Sequence, residues 1–218
     1  MIGVLIPVHN EEQLLSLCLQ TVQSASQHAA LNGEAVLVLA VLDSCTDGSA
    51  TIAESFGVST LALTVRNVGL ARAAGARMLL EQGARWIACT DADSTVAEDW
   101  LVQQLALGAD AVCGTVTPGH WHAEIALEAQ IRYQQGYQNR DGHRHIHGAN
   151  LGISATAYLR AGGFPPLACH EDVTLVQHLE LCGARIAWSC GPQVTTSTRL
   201  DSRAVGGFGD YLRSLISA

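Results

Sequence analysis

Short apolar runs alternate with helix-patterned stretches through the first 115 residues, and this alternation constrains the fold more than any other feature of the chain. Residues 2–7 (IGVLIP), 35–42 (AVLVLAVL), 58–64, 85–90 (RWIACT) and 109–116 read as strands. Residues 11–29, 68–82 and 97–107 read as helices, as does a stretch capped by Asp47 or Ser49 that runs through Phe56. The second run is almost continuously apolar, as a strand covered on both faces requires. Such units feed a largely parallel sheet flanked by helices. After Pro118 the regularity falls: a helix is expected at about 122–136, short helices at 154–161 and 171–182, strands at 184–188 and 193–198, and a short amphipathic stretch at the end. With no internal repeat or low-complexity linker, residues 1–218 read as one domain, with a nucleotide-type half over about 1–115 and a more variable half over about 116–218.

Composition narrows the function classes. Of 218 residues, 48% are apolar and 15% charged, enough for a substantial core. A net charge of −8, with twelve arginines and no lysine, excludes nucleic-acid binding by blanket phosphate neutralisation. Seven cysteines without regular pairing fit reduced thiols and a cytoplasmic protein. The N-terminus shows no basic leader, and no apolar run approaches the ~20 residues of a spanning helix. Peripheral contact with the inner face of a membrane stays open.

Three expected strands end in polar or acidic groups, which a parallel sheet delivers to one edge, where ligands gather in open α/β folds. The first runs into Pro7-Val8-His9-Asn10-Glu11-Glu12, the second into Asp43-Ser44-Cys45-Thr46-Asp47-Gly48, and the fourth into Asp91-Ala92-Asp93. Two carboxylates two residues apart suit one hard cation, Mg²⁺ or Mn²⁺. Arg66-Asn67-Val68-Gly69 precedes an Ala/Gly-rich helix bearing Arg72 and Arg77. Small residues there admit a close phosphate; close helix–sheet packing at Gly69 and Gly75 explains them equally. His170-Glu171-Asp172 opens a helix after a Pro-Pro turn, where the helix dipole alone favours acids.

In this order, IPVHNEE, VLDSCTDGS, NVGLARAAGAR, DAD, GANLGISATAYLRAGGF and HED resemble the family 2 glycosyltransferases, over roughly residues 2–205. The resemblance implies a GT-A fold, with a Rossmann-like, mostly parallel central sheet. It also implies transfer of one sugar from a nucleotide-diphosphate sugar to a hydroxyl acceptor, metal-dependent and inverting. By the same resemblance, Pro7, His9, Asn10 and Glu11 line the nucleoside pocket, and Asp43 reads the base edge, with a lean toward a UDP-sugar, while Asp47 belongs to the same turn. Arg66, Asn67, Gly69 and Arg72 close over the nucleotide. Asp93 binds the metal bridging the diphosphate, Asp91 touches ribose or metal-bound water, and Asp172, or second Glu171, is the general base. His147, Gly148 and Asn150 match the acceptor side. Arg199 and Arg203 close on the diphosphate or on an anionic acceptor. His143-x-His145-x-His147 has strand spacing that suits a transition metal, or else forms a polar loop at the acceptor mouth. Trp121 stacks on a sugar or is core.

The QxxRW-type signature of processive members is missing, which speaks against polymer synthesis, and no C-terminal His supplies a third metal ligand. The acceptor, whether glycan, lipid-linked or small molecule, is left to residues 119–205, a partner chain or a membrane surface. The alternative function is a non-catalytic module that binds a sugar nucleotide. Nucleotidyl transfer and dinucleotide chemistry fail at the first strand's end, where His9-Asn10-Glu11-Glu12 stands in place of a glycine-rich loop.

Overall fold

A computed structural model describes residues 1–200 and 208–216, so Arg203 lies outside the described residues. The expected units form β1 (Ile2–Val8), α1 (Leu15–Ser26), β2 (Val36–Asp43), α2 (Ser49–Ser55), β3 (Ser59–Leu63), α3 (Val68–Glu81) and β4 (Trp86–Cys89). The chain continues through β5 (Ser94–Val96), α4 (Trp100–Ala106), β6 (Ala111–Pro118), α5 (Leu127–Gly136), β7 (Leu151–Ser154), α6 (Ala155–Arg160), α7 (Glu171–Leu181), β8 (Ile186–Thr196) and α8 (Phe208–Ile216). One sheet orders the strands β3-β2-β1-β4-β7-β6-β8-β5. Only β7 and β5 run against the others, so the mostly parallel sheet is present.

Side chains alternate across β1, sending Val4, Ile6 and Val8 to one face and Leu5 to the other. The first face packs on α1, α2 and α4, and the second on α3, α6 and α7. A smaller cluster joins Tyr133 of α5 to Leu212 of α8, with Trp121 edge-on to the Tyr133 ring. Trp121 is therefore part of this packing.

Four expectations change. The helix expected from residue 11 starts at Leu15, because Glu12 is drawn into the β2–α2 turn: its Oε2 accepts from the Gly48 N–H at 2.8 Å. The strands β5 and β7 were not anticipated. The helix expected from 122 begins at Leu127. The two late strands are one, β8, which continues through Gly191-Pro192.

Candidate active site

Loops at the carboxyl ends of β1, β2, β3 and β4, together with the start of α7, form the site. Of the five non-glycine residues with positive φ among the described residues, Asn10, Ser44, Arg66 and His170 lie in these loops. Such conformations cost ~1–3 kcal/mol each and persist where surrounding contacts over-determine them.

Asp43 is one source of that determination. It is buried, and its Oδ1 accepts from the N–H groups of Val65 (2.8 Å) and Arg66 (2.9 Å) while Oδ2 accepts from Asn67 (2.8 Å). Burial works against its charge, but the N–H groups of Arg66, Asn67 and Val65 hold its pKa below the usual carboxylate range. Much of the carboxylate is thus spent on positioning the β3–α3 loop. Its backbone O contacts the His9 Nδ1 at 2.7 Å, and the Asn10 Oδ1 accepts from the Thr46 N–H at 2.8 Å. Asp47 accepts from the Glu12 and Ser49 N–H groups, both at 3.0 Å. Ser49, which sequence reasoning offered only as a cap, instead receives the Glu11 N–H at 2.8 Å. Pro7 pairs with Val41 inside the sheet.

A small cleft of about 180 Å³ is lined by Asn10, Glu11, Glu12, Gln13, Asp47 and Arg199. Arg199 forks onto Glu11, with Nη1 to Oε2 at 2.6 Å and Nη2 to Oε1, and Nη2 also meets Asp93 Oδ2 at 3.2 Å. This places Arg199 beside the acid pair, because the chain leaving β8 passes the β4–β5 turn: the Ser197 N–H donates to the Asp93 O at 3.2 Å. Burial, then Asp91, raise the pKa of Asp93 to about 6, with Arg199 opposing them and Glu11 adding to them.

Arg72 does not close over the outside of the nucleotide loop. It is 2% exposed, with Nη2 bonded to Asp91 Oδ1 at 2.5 Å and Nε to Glu171 Oε1 at 3.0 Å. Burial opposes its charge, but Asp91 and Glu171 outweigh that. Burial likewise lifts Glu171 above the carboxylate range against the pull of Arg72. Asp172 Oδ2 accepts from the Gly148 N–H at 2.6 Å and Oδ1 from the Val173 N–H at 2.8 Å. At Gly69, a Cβ would lie 2.5 Å from the Leu167 O, so this glycine seats the 165–167 loop on α3. The Asn67 Oδ1 caps α3 through the Leu70 N–H at 2.9 Å.

Asn150 is a correction. It is fully buried: its Oδ1 accepts from Trp100 Nε1 at 2.9 Å, and its Nδ2 donates to the Thr115 O at 2.7 Å and the Pro192 O at 2.8 Å. The β6–β8 register shifts between Gly114 and Val116, and the carboxamide bridges that break in place of ladder hydrogen bonds. His147 is partly buried and its Nε2 meets the Tyr137 hydroxyl at 2.9 Å. His143, His145 and His147 do share a face, with successive centroids 5.5 and 5.9 Å apart, but as stacked rings. Both ring nitrogens of His143 and the Nε2 of His145 meet backbone groups, and the Nε2 of His147 meets Tyr137. Among the described residues no group of three His, Cys, Asp or Glu side chains is arranged to hold a metal ion. No helix among them is long and apolar enough to cross a membrane.

No curated protein sequence is found to match the chain. Solved structures match its fold. S. aureus TarS in complex with UDP-GlcNAc is 14% identical, with a TM-score of 0.70 over 95% of this chain and 61% of that one. A fuller TarS structure is covered over only 36% of its length. The mannosyltransferase PcManGT from Pyrobaculum calidifontis, in complex with GDP-Man and Mn²⁺, is 16% identical, with a TM-score of 0.68 over 93% and 58%. Glucosyl-3-phosphoglycerate synthase from Mycobacterium tuberculosis, in complex with Mn²⁺, UDP and phosphoglyceric acid, is 17% identical, with a TM-score of 0.65 over 99% and 77%. The mixed sheet is thus that of the GT-A glycosyltransferases. The glycosyl transferase family 2 profile matches residues 3–152, more than half of the sequence, and on that extent the chain belongs to this family.

Proposed function

We propose that the protein transfers one sugar from a nucleotide-diphosphate sugar to a hydroxyl acceptor, with inversion at the anomeric carbon. The observation that carries this is one buried guanidinium tying the acids after β4 to the acids that open α7. Donor-side and base-side carboxylates thereby meet in one place. A UDP-sugar donor and hexosyl transfer are the finer reading, supported by the UDP-GlcNAc and UDP complexes of the fold neighbours; the GDP-Man complex supports guanosine instead.

Asp91, Asp93 and Glu11 gather more negative charge than Arg199 and Arg72 neutralise, and burial first, then Asp91, holds the pKa of Asp93 up. Hard carboxylate oxygens in surplus fit Mg²⁺ or Mn²⁺, with Asp93 and Asp91 as ligands. When bound, the cation would stabilise the nucleoside diphosphate as a leaving group. The loops bearing His9, Asn10, Glu11, Asp47, Arg66 and Asn67 receive the nucleoside, in a shape set by Asp43. Asp172 takes the acceptor hydroxyl's proton: each of its oxygens accepts one backbone N–H, which orients it and leaves a lone pair free. His147 and Gly148 border the acceptor. Seven unpaired thiols support a reducing, cytoplasmic setting.

The test is donor turnover with Mn²⁺ or Mg²⁺, comparing wild type with Asp172→Asn. The variant is expected to bind nucleoside diphosphate normally and lose transfer by about 10²–10⁴-fold, the usual weight of a general base. Full transfer by Asp172→Asn removes the base assignment. Donor binding without turnover by the wild type points to the non-catalytic module.

A further inference from the structure

Arg72 sits in a closed ring of contacts. From its guanidinium the ring runs to Glu171, along the chain to Asp172, across 2.6 Å to the Gly148 N–H, and back. Gly148 closes it by having no side chain: a Cβ there would lie 2.6 Å from Arg72 Nη2 and 3.0 Å from Cζ. The second amino group of the ring's arginine reaches out to Asp91 at 2.5 Å, and the guanidinium lies 5.9 Å from the Phe164 ring centroid.

This is an expensive way to fill a core. The Arg72–Glu171 pair is buried, with Asp91 at the solvent edge, and a buried ion pair is often less stabilising than apolar groups of the same volume. Arg72 Nη1, moreover, has no hydrogen-bond partner among the described residues. The cost secures geometry. Arginine's rigid fork fixes the angle between two carboxylates, which lysine's point charge does not.

We propose that Arg72 is a positioning residue that sets the place of Asp172 relative to the acid pair, acting through Glu171 and Gly148. The inference rests on the transfer reading above for what Asp172 does there, but the arrangement is measurable without turnover. The Gly148 N–H reports it, because its protection from hydrogen exchange depends on the Asp172 carboxylate being held against it.

The experiment compares wild type, Arg72→Lys, Glu171→Gln and the double variant by amide exchange and by steady-state kinetics. In each single variant, Gly148 exchange is expected to rise about tenfold or more while β1 amides stay protected. The kcat is expected to fall about 10²-fold, the cost of a misplacement near 1 Å, with a smaller change in donor KM. Because the two act as one unit, the double variant should lose no more than the worse single. Unchanged Gly148 exchange in a folded variant overturns the proposal, as do losses that add. Should Arg72→Lys fail to fold, Gly148 exchange in Glu171→Gln decides the point in its place. A wild type that transfers no sugar overturns the functional reading, while Gly148 exchange still decides the role of Arg72.

Discussion

Asp93 is held in a place that disfavours its charge: burial first, then Asp91 and Glu11, push its pKa up to about 6 against the pull of Arg199. From the usual aspartate range up to about pH 6 the folded chain holds a proton the unfolded chain has released. This group therefore lowers stability as pH rises through that window, and the deficit is fully present above it. Asp93→Asn is expected to raise Tm at pH 7.5 by about 2–4 °C, near 1 kcal/mol in a chain this long, while lowering metal-stimulated transfer. A fall in Tm would show that attraction to Arg199 dominates. His147 has the opposite sign. Burial, then its neighbours His145 and His143, lower its pKa from 6.5 to about 4, so the unfolded state takes up the proton first and stability falls as pH drops between those values. His147→Gln should flatten the dependence of Tm on pH over that window, read by thermal unfolding across a buffer series. At this scale the sequence revealed the acids, because paired acids after an apolar run are a local signal. It left the place of Arg199 open and misplaced Asn150, because the partners of both lie far along the chain.

The regular βα units of the first half were legible, since each strand is a continuous apolar run and each helix has its own period. The strands β5 and β7 were not: with three and four residues, and Ser, Thr or Gly within them, they depend on partners for their definition. The strand β8 looked divided at Gly191-Pro192, yet the Asn150 carboxamide takes up the Pro192 O and spans the irregularity. Helix-to-sheet approach is set by single atoms. A Cβ on Gly75 of α3 would lie 2.7 Å from Val41 Cγ2 and press on Leu5 as well. Gly75→Ala is expected to cost about 1–3 kcal/mol by overpacking, seen as a lower urea midpoint. Gly136→Ala in α5, where a Cβ meets nothing within 4 Å, should be neutral or gain about 0.4–1 kcal/mol. Equal effects at the two sites would remove the packing argument.

Over the whole molecule, a net charge of −8 without a single lysine meets a site whose own acids repel a bare diphosphate. On the transfer reading proposed above, a divalent cation and arginine would carry the donor's phosphates between them. In a thermal-shift panel, one nucleoside diphosphate with Mn²⁺ is expected to raise Tm well above either alone, since ligand at about 100 times its Kd adds about 2.7 kcal/mol. An equal shift without the ion would assign the phosphates to arginine alone. Residue order by itself determined the βα architecture and which strand ends carry acids, because periodicity and strand-terminal chemistry are properties of neighbours in the chain. Only the tertiary structure decided which cation each acid meets. Arg199 reaches Glu11 across 188 positions and Arg72 reaches Glu171 across 99, and such pairings follow from how the sheet brings distant loops to one edge.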